Sequence, residues 1–368
     1  MTTQDLESTQ QADIGDWLVA NVGRVAVSVF VPLLTFIGLW QGFVFLRNSE
    51  APQWLITIVA IVWGVGGVAA LYFISNWFIE QLSPTWMTRL QPFIFVGPAM
   101  AILFWYLALP TIRTLYRSMF LRDTNQFVWF QNYVRVFTER QMLEALRNNV
   151  LWVLVGSTLC VVFGLAVAVL ADRTRIENVA KALIFLPMAI SFVGAGVIWR
   201  FVYDPSPNIG LLNGIVSGLG GTAQAWMSDV RPWNNLLLIV ILIWMQTGYA
   251  MVLISAAIKG VPHELLEAAR VDGANEFQAF FRIIIPYIQG TLITVTTTIV
   301  IFTLKIFDIV LVMTGGNFGT TVIGVEFYKR FFIAGDLGIG SAIAIVLFIL
   351  VVPVMIYNLR QFSQQEVF

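Results

Sequence analysis

The chain has 368 residues, of which 58% are hydrophobic and only 11% are charged, and its mean hydropathy is +0.81. Soluble domains carry about 25% charged residues, so the composition excludes a soluble globular protein and indicates an all-α, polytopic membrane protein. The formal net charge is zero, which implies no basic surface for nucleic acid, and one His with one Cys excludes both an intrachain disulfide and a His/Cys metal cluster.

Apolar runs of about 20 residues, the length that crosses roughly 30 Å of hydrocarbon as a helix, recur along the chain. We predict about eight transmembrane helices, at 22–46, 54–78, 93–115, 150–171, 182–203, 236–258, 290–314 and 338–357. Trp and Tyr cluster near the ends of these runs, which is typical of side chains at the membrane–water interface. The polar stretch 1–21 has no Lys or Arg and does not resemble a signal peptide, so we expect the first span to be retained as an anchor.

The stretch 259–286 is a long polar interruption between two apolar runs, and it keeps helical periodicity. Pro262 fits the first turn of a helix, and Gly273 fits the left-handed position that ends it. Asn275 fits the cap of a second helix that runs to Pro286. The apolar residues of this segment have no obvious cover in the flanking sequence. The pattern predicts a helix-turn-helix with an exposed apolar patch, which favours docking of another protein.

This stretch resembles the EAA loop of permease subunits of binding-protein-dependent ABC importers. The residues that carry the resemblance are Glu267, Ala268, Ala269, Asp272, Gly273, Ala274, Phe281 and Pro286. In that family the loop is a cytoplasmic coupling helix that sits in a cleft of the ATP-hydrolysing subunit and passes its motion to the transmembrane helices. The resemblance therefore implies that 259–286 is the ATPase-coupling loop of a transport subunit.

The resemblance extends from about Tyr106 to Phe362. It divides the chain into a polar cytoplasmic leader (1–21), two additional N-terminal transmembrane helices (22–91), a six-helix permease core (92–362) and a short tail (363–368). Additional N-terminal helices of this kind occur in maltose-type sugar permeases. The similarity therefore points to that subgroup and to the alpha-glucoside and glucosylglycerol permeases.

A second motif supports the sugar-permease resemblance. Gly315-Gly316-Asn317 is similar to the GGP turn of sugar permeases, with Asn317 in place of proline. Asn also tolerates turn conformations, so a turn is still expected at this position.

The resemblance implies a function and a set of partners. The chain would form half of a heterodimeric pore that moves a sugar or sugar-like polyol into the cell. The implied partners are a second permease subunit, cytoplasmic ATP-binding subunits, an extracytoplasmic solute-binding protein, the solute and membrane lipid. ATP and Mg²⁺ would belong to the partner ATPase, because the chain has no G-x-x-x-x-G-K-[ST] motif; we expect neither enzymatic activity nor a cofactor in this chain.

The expected location is the bacterial inner membrane, with several passes and both termini in the cytoplasm. Lys and Arg are more numerous in the loops that this orientation places outside than in those it places inside. That distribution opposes the positive-inside rule. The orientation therefore rests on the resemblance, since an EAA loop serves a cytoplasmic ATPase.

Polar and ionisable side chains inside the predicted spans are candidates for a solute path, because hydrocarbon penalises them unless they face a cavity or a partner. Lys305 and Asp308, at i and i+3 in the seventh span, are predicted to lie on one helical face and to be able to pair. The other candidates have hydrogen-bonding or aromatic groups that suit a sugar; they are Gln246, Tyr249, Phe192 and Trp199.

Alternative interpretations of Lys305 and Asp308 stay open. The two residues line the solute path, or they form an ion pair that only positions the helix. In a third interpretation the protein is an ion-coupled secondary carrier and the two residues carry a coupling proton. The EAA loop and the lack of paired inverted repeats of intramembrane charge argue against a carrier. An intramembrane enzyme would need a catalytic dyad within the spans, and the sole His lies in a loop.

Overall fold

The computed structural model describes residue 30 and residues 33–80, 84–172, 174–228 and 233–365. Over these residues the structure is helical, without a β-strand, and an isolated antiparallel bridge joins Phe120 to Phe127. Five of the described helices are long and apolar enough to span a membrane, or up to seven if each of two bent pairs counts as one span. The predicted all-α, polytopic fold is confirmed.

Some predicted segments lie outside the described residues. These are the leader 1–21, most of the first eleven residues of the first predicted span, and the last three residues of the tail. The chain divides into two compact units, Met1–Thr111 and Ile112–Phe368. The predicted division at 91/92 rests on the resemblance and stays a prediction.

Three helices are described in the first unit, and the third of them continues past Thr111. Their bounds are 33–48 (α1), Gln53–Glu80 (α2), and Pro84–Leu103 (α3), which continues through a π-helical turn at Phe104–Ala108 into Leu109–Arg117. Glycine allows α1 and α2 to approach each other, because a Cβ on Gly42 would lie 2.1 Å from Trp63 Nε1.

The second unit contains the remaining helices. Their bounds are Gln131–Thr138 (α4), Arg140–Leu151 with Trp152–Ser157 and Thr158–Ala171 (α5), Glu177–Phe185 with Leu186–Ala189 (α6), Phe192–Val202 (α7), Leu211–Gly218 (α8), Trp233–Lys259 (α9), His263–Val271 (α10), Glu276–Ala279 with Phe280–Ile284 and Ile285–Tyr287 (α11), Gln289–Leu304 (α12), Asp308–Thr314 (α13), Ile323–Tyr328 with Lys329–Ile333 (α14), and Leu337–Gln365 (α15). Trp152–Ser157, Phe280–Ile284 and Lys329–Ile333 are π-helical turns, and Leu186–Ala189 is a 3₁₀ turn.

α9 lies at the centre of the second unit. Its Leu238, Ile241 and Leu242 are fully buried. α5 packs closely along it at Gly164, where an added Cβ would lie 2.4 Å from the Cβ of Ala250. Small residues at such a crossing let two backbones approach within van der Waals contact, which favours association in a membrane.

Two helix pairs are bent: α6–α7 covers the predicted span at 182–203, and α11–α12 joins the second helix of the stretch 259–286 to the predicted span at 290–314. α6 and α7 meet at 102°, and α11 and α12 meet at 68°. Pro187 lies in the turn that ends α6, and the Ser191 hydroxyl caps α7 by accepting a hydrogen bond of 3.0 Å from the Gly194 N–H. A proline and a capped new start are typical of a real break in a helix.

The prediction of a single helix at 290–314 is wrong. α12 ends at Leu304 and α13 begins at Asp308, and Phe307 between them has a non-helical φ of −147° and ψ of −56°. Gly324 packs against this break, since a Cβ on it would lie 2.9 Å from the Ile306 carbonyl oxygen. The fourth span also differs from the prediction, because α5 begins at Arg140 and the predicted span began at residue 150.

The contact between α5 and α9 gives a test of the fold. We expect Gly164→Ala to lower the free energy of unfolding by about 1–3 kcal/mol, because its methyl group overfills a closed crossing. Gly66→Ala is the matched control in α2, where an added Cβ meets nothing within 4 Å. Chemical denaturation of the detergent-solubilised protein measures both. Equal stability of the two variants would contradict the close packing at Gly164.

Candidate functional site

The candidate coupling loop is a helix-turn-helix, as predicted. Gly273 lies two residues after the last residue of α10, Val271, and its φ is +81°. The Gly273 N–H donates to the Arg270 carbonyl (3.1 Å), and the Ala274 N–H donates to the Ala269 carbonyl (2.9 Å). This pair of bonds is the usual way in which a glycine in the left-handed conformation closes a helix. Pro262 is the cap residue just before α10 and not part of its first turn.

The second helix of the loop begins with a capping box. The Asn275 side chain accepts from the Gln278 N–H (2.8 Å), and the Gln278 side chain accepts from the Asn275 N–H (3.0 Å). Each residue thereby satisfies a backbone donor of the other, which fixes the start of α11. The turn between the helices is thus defined on both sides by short-range chemistry.

The loop presents an apolar surface, which we call the docking patch. It consists of Val271, Phe277 and Phe281, which are 88%, 71% and 52% exposed. The rings of Phe277 and Phe281 pack with centroids 4.6 Å apart. Of the other predicted loop residues, Ala269 is buried, Ala274 is half-buried, and Glu267, Ala268, Asp272 and Pro286 are exposed. An apolar patch beside exposed polar groups on a loop outside the spans is a surface suited to a partner protein.

Four charged side chains and one hydroxyl beside the loop form a group that we call the ion cluster. It consists of Asp172, Glu177, Lys181, Lys259 and the hydroxyl of Ser255. The Lys181 ammonium contacts Asp172, Ser255 and, at 2.6 Å, Glu177. Lys259 also contacts Glu177, and the Ser255 hydroxyl donates to Asp172 at 2.8 Å. The cluster therefore ties the ends of α5 and α9 to the start of α6.

The ion cluster was not predicted. Glu177 and Lys181 nevertheless have the i,i+4 spacing of a helical ion pair. A cavity of about 360 Å³ lies between the cluster and the loop, and Asp172, Phe277 and Phe280 are among its lining residues. One carboxylate oxygen of Asp172, Oδ2, is buried without a hydrogen-bond partner.

The predicted pair Lys305–Asp308 does not form. The two residues lie on either side of the break between α12 and α13, and no ion pair joins them in the described structure. Lys305 is exposed and Asp308 is half-buried. The i,i+3 argument assumed a continuous helix, and the break removes that assumption.

α13 instead packs against α7. The two helices cross at Gly196, where an added Cβ would lie 2.9 Å from Val312. Phe192 and Asp308 each lie four residues before this crossing, which is about one helical turn. Arg200 and Met313, after the crossing, line one cavity together, so the two helices run in the same direction. Phe192 and Asp308 are therefore at the same level of the helix pair.

The other predicted path residues lie around the same core. Phe192, Trp199 and Tyr249 pack against one hydrophobic cluster, and Trp199 meets Trp244 edge-on with centroids 5.8 Å apart. Gln246 is only 5% exposed, and its side-chain amide forms no hydrogen bond with any described residue. The side-chain amide of Gln246 therefore remains available to hydrogen-bond with water or a solute.

The turn predicted at the Gly-Gly-Asn motif follows α13, and its glycines have positive φ angles. Gly315, Gly316 and Gly319 have φ values of 62°, 74° and 78°. Four asparagines hold this region, two of them eight and nine residues after the start of α5 and two in the first turn of α9. We call them the asparagine clamp: Asn148, Asn149, Asn234 and Asn235.

The clamp acts on backbone groups. Asn149 donates to the Leu304 carbonyl (3.0 Å) and accepts from the Ile323 N–H (2.8 Å). Asn148 and Asn235 both donate to the Gly319 carbonyl, at 2.8 and 3.1 Å. Sequence reasoning missed the clamp, although an Asn-Asn pair at the start of two apolar spans was a visible signal.

Comparison with known proteins agrees with these features. Residues 160–365 match the family described as "Binding-protein-dependent transport system inner membrane component". The osmoprotective compounds uptake permease protein GgtC of Synechocystis sp. is 52% identical over 277 residues, which is 74% of this chain and 99% of that protein. The alpha-glucoside transport system permease protein AglF of Rhizobium meliloti is 43% identical over 332 residues, 85% of this chain and 98% of that protein.

Solved structures support the fold. A chain of a bacterial alginate ABC transporter, solved in complex with an alginate pentasaccharide-bound periplasmic protein, aligns with a TM-score of 0.64 at 20% identity. The alignment covers 72% of this chain and 91% of that one. The secondary-carrier alternative is not favoured by these similarities. The chain belongs to the family of inner membrane components of binding-protein-dependent transport systems, and it is a multi-pass permease subunit of an ABC importer.

Proposed function

We propose that the chain forms half of a heterodimeric pore that imports a sugar or sugar-like polyol of the alpha-glucoside or glucosylglycerol class. ATP and Mg²⁺ bind a separate cytoplasmic subunit, and an extracytoplasmic binding protein delivers the solute. The observation that carries the proposal is the docking patch on its doubly capped helix-turn-helix. The names of the related permeases support the solute class.

The contacts beside the loop suggest how motion reaches the core. α9 ends at Lys259, and three residues separate it from the start of α10 at His263. Lys259 also contacts Glu177 of α6. Lys181 then joins α6 to Asp172 at the end of α5. A displacement of the docking patch by an ATPase would therefore act on α5, α6 and α9 together. In the proposed orientation, the coupling loop and both termini face the cytoplasm.

The solute path in this proposal follows the α7–α13 pair and the adjoining face of α9. Asp308 and Gln246 supply hydrogen-bonding groups, and Phe192, Trp199 and Tyr249 supply aromatic faces that suit the C–H surface of a sugar ring. Lys305, exposed at the helix break, supplies a donor. The two additional N-terminal helices, 22–91, are proposed to be accessory to the pore.

The coupling role predicts a specific defect at Gly273. Gly273→Val forces a β-branched residue into the left-handed conformation, at a cost of roughly 1–2 kcal/mol, and tilts α11 against α10. We expect the assembled complex to hydrolyse ATP while solute uptake into proteoliposomes falls at least about tenfold. Gly273→Asn is the matched control, because Asn tolerates this conformation and should retain most of the uptake. Normal uptake by the Val variant would remove the coupling role.

The broken helix predicts that Lys305 and Asp308 act independently. In a cycle of Lys305→Met, Asp308→Asn and the double variant, we expect an interaction energy for unfolding below about 0.5 kcal/mol, as for residues without a shared contact. Loss of a hydrogen bond between Asp308 and the solute, worth about 1.5–3 kcal/mol, should lower uptake by about ten- to hundredfold without loss of assembly. Glu50→Gln, an exposed acid in the first unit, is the control.

Two outcomes of this cycle would contradict the proposal. A large interaction energy would mean that the residues pair after all. Near-normal uptake by Asp308→Asn would remove Asp308 from the solute path.

A further inference from the structure

A further cavity lies at the C-terminal end of α7, whereas Phe192 lies at the N-terminal end of that helix. We call it the α7 cavity; it has a volume of about 290 Å³. Its lining includes Arg200, Tyr203, Asp204, Trp226 and Met313. The side chains come from the end of α7, the loop that follows it, the segment before α9, and α13. None of the predicted path residues lines it, so it is a separate site along the α7–α13 pair.

The walls of the α7 cavity are fixed by one buried asparagine. Asn213, on α8, is fully buried. Its side-chain amide donates to the carbonyls of Asp204 and Gln224, both at 2.8 Å, and it accepts from the Gln224 N–H at 2.9 Å. The Tyr203 hydroxyl also donates to the Leu237 carbonyl at 3.0 Å. The two loops that form the cavity are thus joined before any ligand binds, which lowers the entropic cost of binding.

Several polar groups of the cavity have unused hydrogen-bonding capacity. The indole N–H of Trp226 is buried without a partner. Such a group costs about 1–3 kcal/mol unless a ligand or water accepts from it. The Arg200 guanidinium is exposed and forms no ion pair or hydrogen bond with any described residue. Asp204 uses its Oδ1 to accept from the Ser206 N–H at 2.8 Å and retains further acceptor capacity.

The chemistry of these groups selects the ligand. Asp204 disfavours an anion and Arg200 disfavours a cation, whereas a neutral polyol offers hydroxyls that donate to the carboxylate and accept from the guanidinium and the indole. Tyr203 and Trp226 add aromatic surface, which suits a sugar ring. The volume is at the lower end of the roughly 300–1,000 Å³ of small-molecule sites, so it accommodates about one ring.

We propose that the α7 cavity is a receiving site that binds one ring of the neutral sugar at the extracytoplasmic mouth before the solute enters the path beside Asp308. The inference rests on the proposed sugar import and on its orientation, because the cavity lies at the end of the helices that is remote from the ion cluster and the coupling loop. In this site the side chains of Trp226, Asp204 and Arg200 form hydrogen bonds with the sugar hydroxyls.

Thiol labelling tests this site in the assembled transporter. The native Cys160 is fully buried and should be inert, so Ala225→Cys introduces one reactive thiol into the cavity wall. We expect trehalose, maltose or glucosylglycerol, tested in turn at saturating concentration, to slow its reaction with an external, membrane-impermeant methanethiosulfonate at least about threefold. Ala223→Cys, which is exposed and does not line the cavity, is the matched control and should show no protection.

Second substitutions assign the protection to the cavity. Trp226→Phe or Asp204→Asn, added to Ala225→Cys, should abolish protection, whereas Trp233→Phe, outside the cavity, should leave it intact. Sugar uptake by the unaltered transporter is measured in parallel. Uptake without protection at Ala225→Cys would overturn the receiving site and leave the proposed function standing. Equal protection at Ala223→Cys, or protection that survives both cavity substitutions, would also overturn it, and protection without uptake would overturn only the proposed import.

Discussion

The Leu304 carbonyl and the backbone between α13 and α14 have to find hydrogen-bond partners elsewhere in the protein, because α12 stops at Leu304 and α13 stops at Thr314. An unsatisfied backbone group costs several kcal/mol in hydrocarbon, so irregular backbone at membrane depth persists only where protein or water replaces the lost bonds. The asparagine clamp supplies those bonds from α5 and α9. The short α13 can then lie against Gly196 of α7. This contact places Asp308 at the same height along the helix pair as Phe192, and it places Met313 in the wall of the α7 cavity.

The same two helices carry the clamp at one end and the ion cluster at the other. Asn148 lies in the first half of α5 and Asn234 in the first turn of α9. Gly164 and Ala250, which meet at the crossing, each follow sixteen residues later, or about 24 Å along a helix. The helices are therefore parallel and in register over this distance. They end at the ion cluster, next to the coupling loop. A rigid pair of this kind connects the docking patch to the turn after α13 without requiring a long chain of separate contacts.

Short-range chemistry made much of the structure predictable. The left-handed Gly273, the capping box of Asn275 and the positive φ angles of the Gly315–Gly316 turn follow from residue types at fixed spacing. The break after Leu304 did not, because the asparagine that stabilises it lies 155 residues earlier in the chain. The assumed pairing of Lys305 with Asp308 failed for the same reason, since hydropathy alone cannot distinguish a continuous apolar helix from one whose break is satisfied by a distant side chain. The ion cluster likewise joins residues 172 and 255, which no local pattern relates.

We propose that the docking patch contacts an ATP-hydrolysing subunit on the cytoplasmic side, and site-specific photo-crosslinking in living cells tests this contact directly. A photoreactive amino acid is placed at Phe277 in the patch and, as a reference, at Trp129, an exposed residue near the start of α4. We expect an adduct between position 277 and the ATP-binding subunit, with no such adduct from position 129. An adduct of position 277 with the extracytoplasmic binding protein, or of position 129 with the ATP-binding subunit, would contradict both the orientation and the role of the loop.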